Sequence, residues 1–95
     1  MIGAIAKLKI KEGERDNFIE AMEKLVQAVS ANEADCFYYE MHETEDPLTI
    51  MMIELYKTEE AHANHVQTEH FKTLGMALAP FMAGAPEITV HKSIN

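Results

Sequence analysis

Two runs of β-forming residues, Asp35 to Glu43 and Leu48 to Lys57, stand either side of the tetrapeptide Thr44-Glu45-Asp46-Pro47, and this pairing restricts the chain more than any other stretch. Asp and Pro together mark a tight turn: Pro presets its own φ, and Asp hydrogen-bonds the backbone just beyond it. An antiparallel hairpin is expected, with Tyr39 opposite Glu54. In that register Phe37, Tyr39, Met41, Met52, Glu54 and Tyr56 share one face, and Tyr38, Glu40, His42, Met51, Ile53 and Leu55 share the other. Both faces carry large apolar groups, so both need cover.

The flanking segments supply cover for one face. Ile2, Ala4, Ala6, Leu8 and Ile10 alternate with Gly3, Ile5, Lys7, Lys9 and Lys11, the period of a first strand. After a turn at Gly13, Phe18, Met22, Leu25, Val26 and Val29 fall on one stripe of a helix that ends near Ser30 to Glu33. Thr58 is placed to cap a second helix whose first turn holds Glu59 and Glu60, which suits the positive end of the helix dipole. That helix continues through Phe71, Leu74, Leu78, Phe81 and Met82, with a joint expected at Gly75 and an end at Ala83-Gly84-Ala85-Pro86. Glu87 to Ile94 alternates again as a last strand. The order is β-α-β-β-α-β, the split ferredoxin-like arrangement of the α+β class: a four-stranded antiparallel sheet with helices on one face. Residues 1–95 read as one folding unit.

No element remains for the sheet's second face. A second copy of the same sheet is the simplest cover, so the expectation is a two-fold homodimer joined through sheet faces and closing a dimeric α/β barrel. A chain of 95 residues also gains from association, because alone it buries only about two-thirds of its unfolded surface.

Composition removes several classes of function. The formal net charge of −8, with lysines scattered, argues against a nucleic-acid partner, which needs a basic stripe to neutralise phosphates. No apolar run approaches the roughly 18 residues of a membrane helix, and the amino terminus lacks the architecture of a signal peptide, so a cytoplasmic protein is expected. Cys36, the single cysteine, forms no intrachain disulfide or thiolate metal site. Nucleophile elbows, phosphate-cradling glycine loops and dinucleotide fingerprints are absent.

The strand-to-helix passage from Glu54 to Phe71 concentrates the polar chemistry. His65 turned inward is a titratable group close to the sheet, able to take a proton from a phenolic hydroxyl. Glu54, costly to bury unpaired, is expected to orient it. Between the sheet and the broken helix a pocket is expected, lined by Tyr39, Met52, Tyr56, His70, Phe71, Leu74, Phe81 and Met82 as substrate-binding groups, a soft wall suited to a planar ring. His62, His65 and Glu69 stand at i, i+3 and i+7, but this is no recognised zinc interval and there is no fourth ligand, so no metal is expected.

The pattern Glu54-x-Tyr56, Ala61 in an acidic first turn, then His65 with Thr68-x-His70-Phe71, resembles the antibiotic biosynthesis monooxygenase family, small dimeric α/β-barrel proteins. Glu69 stands where proline is common. The resemblance extends over nearly the whole chain, including the strand opening Cys36-x-x-Tyr39. It implies a cofactor-independent monooxygenase oxidising a small aromatic quinol or polyphenol with molecular oxygen, His65 acting as base. The family also includes an isomerase of a phosphorylated signal molecule; that second reading needs a cationic clamp, for which only Lys57, Lys72 and Lys92 are suited. A non-enzymatic dimer that holds an aromatic ligand is the third.

Overall fold

The computed structural model describes all 95 residues. Four strands, β1 (Ile2–Lys9), β2 (Cys36–Glu43), β3 (Thr49–Tyr56) and β4 (Glu87–Lys92), form one sheet in the order β2-β3-β1-β4. Every neighbouring pair is antiparallel. The helices are α1 (Arg15–Asn32), α2 (Glu59–His65) and α3 (Glu69–Met76), followed by a single 3₁₀ turn at Ala79–Phe81. This is the expected ferredoxin-like α+β arrangement, with an open sheet.

Alternation decides which face the helices cover. Ile2, Ala4, Ala6 and Leu8 of β1 are buried, as are Ile50, Met52, Glu54 and Tyr56 of β3, while their alternates are not. On α1 the buried residues Phe18, Met22, Leu25 and Val29 recur every three or four positions and pack on that face. No side chain caps the start of α1, so its stability rests on this stripe. Phe18 is wholly buried, and truncating such a ring typically removes about 3–5 kcal/mol. Gly13, at φ 83°, makes the turn into α1.

The β2–β3 turn is built as the Asp-Pro signal implies. Asp46 accepts hydrogen bonds from the Leu48 amide at 2.9 Å and the Thr49 hydroxyl at 3.0 Å. Tyr39 lies opposite Glu54, as expected. Phe37 departs from expectation: a bulge between Cys36 and Tyr38 sets Cys36 against Tyr56, and the extra residue, Phe37, is turned out of the ladder and exposed.

The break in the second helix also lies elsewhere than at Gly75, which sits inside α3. The joint is at Val66 to Thr68. The Thr68 hydroxyl donates to the His65 carbonyl at 2.8 Å and accepts from the Phe71 amide at 3.2 Å, ending one helix and capping the next in a single residue. Glu69 therefore opens a new helix and does not continue the face that carries His62 and His65.

The far side of the sheet has no cover within the chain. Ile5, Met51, Ile53 and Leu55 are half-buried there and Tyr38 is exposed. All six residues of the edge strand β4 are exposed too, including Ile88 and Val90, which lie opposite Ala6 and Ala4 and so belong to the helix-side face. No helix is long and apolar enough to cross a membrane.

Candidate active site

Between the sheet and the helices lies a cavity of about 430 Å³. Its sheet wall is Ala6, Leu8, Tyr39, Met52, Glu54 and Ile88, and Met22 and Leu25 of α1 extend it. Phe71, Lys72, Gly75 and Met76 of α3 form the opposite side, and Leu78, Met82 and Pro86 complete it. Only Tyr39, Glu54 and Lys72 bring polar side chains to this surface.

Glu54 owes its place to the period of β3, whose alternate residues face the helices. It is 9% exposed, and its carboxylate accepts the Tyr56 hydroxyl at 2.6 Å. Burial raises the Glu54 carboxyl above the ordinary range, while the bond from Tyr56 pulls it back down. Burial, reinforced by the charge on Glu54, pushes the hydroxyls of Tyr39 and Tyr56 far up, so both stay protonated. Burial likewise lifts the Cys36 thiol to about 11, which leaves it unreactive.

His65, at the last position of α2, is 3% exposed and lies one ring behind the cavity. Its centroid is 5.0 Å from that of Tyr39 and 4.8 Å from that of Phe71, both of which line the cavity, and 5.6 Å from that of Tyr56. The expected contact with Glu54 is not made. The His65 Nδ1–H donates instead to Glu33, 3.0 Å from each carboxylate oxygen, and Nε2 of His70 stands 2.5 Å from the same carboxylate. Burial lowers the His65 imidazole below its ordinary value, and the bond it donates to Glu33 only partly offsets this. The ring is therefore neutral, with Nδ1 protonated toward Glu33.

Of the residues expected in the pocket wall, Tyr39, Met52, Glu54, Phe71 and Met82 line the cavity. Tyr56, His65, His70, Leu74 and Phe81 do not: Tyr56 reaches it only through Glu54, His70 is tied to Glu33, and Leu74 and Phe81 pack against the core. Glu33 is the polar group that sequence reasoning does not reveal; Lys72, named there only as one of three lysines suited to a phosphate clamp, is the one of them that lines the cavity. Glu33 caps the end of α1, far in sequence from both imidazoles it binds, so no spacing reveals it.

No group of three or more His, Cys, Asp or Glu side chains is disposed to hold a metal ion. In the Glu33 cluster each imidazole spends one ring nitrogen on the carboxylate itself.

The match to known structures extends along the whole chain. A crystal structure of a Caulobacter crescentus CB15 protein that bears the name antibiotic biosynthesis monooxygenase superposes with a TM-score of 0.94 at 32% identity, covering 99% of this chain and 90% of that one. A conserved protein of Methanosarcina mazei Go1 gives 0.88 at 25% identity over 96% and 90%. A Nitrosomonas europaea protein with the same family name gives 0.88 over the full length of both, and at 23% identity shows the shared fold alone. No curated protein matches. The sequence model for antibiotic biosynthesis monooxygenases matches residues 1–74, from β1 through most of α3 and so through Tyr39, Glu54 and Phe71 of the cavity wall. With that match, and a relative at 32% identity along nearly its entire length, the chain belongs to the antibiotic biosynthesis monooxygenase family.

Proposed function

We propose that this protein is a monooxygenase that oxidises a small aromatic quinol or polyphenol with molecular oxygen, without metal or organic cofactor, and that the reaction takes place in the cavity between sheet and helices. One observation carries the reading: a single buried carboxylate, Glu54, is set in the wall of an otherwise apolar hollow large enough for one substituted ring. An apolar wall accepts the ring faces. The carboxylate selects a ring that brings a hydroxyl.

Glu54 takes the proton. A carboxyl whose affinity for protons is raised by burial is a stronger base than one in water, yet it remains ionised above its own pKa. Tyr39, its cross-strand neighbour, stays protonated and can donate to the second ring oxygen. The substrate anion then supplies the electrons. A quinol and one dioxygen give a hydroxyquinone and one water; four electrons leave the ring, one oxygen atom enters it and the other becomes water, so no external reductant is needed. The apolar wall excludes bulk water from the anion. His65, held neutral and fixed by Glu33, is a positioning residue: its ring supports Tyr39 and Phe71 from behind.

The isomerase reading fares worse. A phosphorylated substrate needs several cations, and only Lys72 lines the cavity, while Lys92 pairs with Glu59 at 2.6 Å.

The working form is proposed to be a homodimer through sheet faces. A shallow groove bounded by Gly3, Ile5, Tyr38, Ile53, Leu55 and His91 runs over the uncovered side and supports a partner sheet there. A cytoplasmic location accords with the unpaired cysteine. Oxygen uptake with a methyl-substituted hydroquinone tests the activity: one dioxygen consumed per quinol with hydroxyquinone formed supports it, and oxidation to the plain quinone with peroxide release contradicts it.

A further inference from the structure

Lys72 is the one lysine or arginine of this chain that lines the cavity. Arg15 is paired with Glu43 and Lys92 with Glu59, whereas Lys72, like the remaining lysines, makes no ion pair. Its side chain borders the cavity from an exposed position on α3, at the mouth, whereas Glu54 is buried in the wall. The hollow thus carries one positive charge on an exposed residue and one buried acid, on a lining that is otherwise mostly apolar. In a protein of net charge −8, a free ammonium there is the one local attraction for an anion.

From this polarity we infer that the substrate is an aromatic hydroxy acid, a phenolic or quinolic ring with a single carboxylate on the side away from the reacting hydroxyl. The inference rests on the aromatic reading of the cavity given above. Charge fixes the orientation. A carboxylate directed inward meets the Glu54 carboxylate and is repelled; directed outward it meets the Lys72 ammonium and leaves its hydroxyl for Glu54 and Tyr39. One ammonium matches one negative charge, which favours a carboxylate over a phosphate dianion.

The test is calorimetric binding of 3-(4-hydroxyphenyl)propionate against its neutral amide, which has nearly the same shape, at low salt and without turnover. The wild-type protein is expected to bind the acid about tenfold more tightly than the amide. Lys72→Met should remove that preference while leaving amide affinity in place, and Lys72→Glu should reverse it. Because Lys72 is exposed, neither change threatens folding. Equal affinity for acid and amide in the wild type, or a preference that survives Lys72→Met, overturns the role of Lys72 and leaves the aromatic reading standing. If neither probe binds, both fall together.

Discussion

Glu33 and His65 are thirty-two positions apart in the chain, yet the carboxylate lies 3.0 Å from the imidazole Nδ1 and is itself 11% exposed. The same carboxylate holds His70, so one side chain at the end of α1 pins the end of α2 and the start of α3. Because α3 forms a wall of the cavity, this cluster bears on the shape of the site.

Removing that carboxylate leaves two largely buried imidazoles without their partner. Glu33→Ala is expected to destabilise the fold by about 1–3 kcal/mol, the cost of orphaning buried hydrogen-bonding groups. In a domain of this size each kcal/mol lowers the melting temperature by about 4–8 °C. Thermal unfolding followed by circular dichroism measures it; an unchanged melting temperature would show that the pin carries no load. His70→Phe removes one of the two bonds and should lie between wild type and Glu33→Ala.

The pH dependence of stability follows from His65. Burial holds its imidazole below the ordinary value of 6.5, so near that pH the folded chain binds fewer protons there than the unfolded chain does. Its contribution is complete above the unfolded value and is lost as pH falls through 6.5 toward the folded value. Glu54 works in the opposite sense: its raised carboxyl contributes fully below its ordinary 4.5, and the contribution is lost as pH rises through its folded value. Urea titrations of wild type and His65→Phe between pH 5 and 8, a range of about three pH units around the His65 value, should show a stability difference that shrinks as the pH falls. A difference that is flat with pH contradicts the buried, neutral ring.

Association through the sheet can be broken on one residue. Ile53→Glu puts a charge on the uncovered face without touching the core side of β3. Sedimentation velocity should find a dimer for wild type and a monomer with unchanged secondary structure for the variant. A wild-type monomer at micromolar concentration rules out the proposed sheet-to-sheet dimer.

What the sequence disclosed and what it hid follow a physical line. Strand alternation, the Asp46-Pro47 turn and the α1 stripe are local patterns, and they led to the sheet, the Tyr39–Glu54 register and the cavity's place between sheet and helices. The bulge at Phe37 was illegible because its cost and benefit arise only between paired strands. Gly75, the permissive residue, is where local sequence places the helix joint, but Thr68 makes it through two side-chain hydrogen bonds. Glu33 was hidden for the most general reason: a polar contact between distant segments leaves no period.

The most direct measurement on the central claim is the pH profile of kcat/KM for quinol-dependent oxygen uptake, in wild type and in Glu54→Gln. A raised carboxyl acting as base predicts a wild-type profile that falls on the acid side at a pH above the ordinary carboxylate range. In Glu54→Gln that limb should vanish and the rate should drop by about 10²–10⁴-fold. A Glu54→Gln protein that keeps the wild-type rate and the same acid limb would contradict the account, because the proton would then be leaving the substrate by way of some other group.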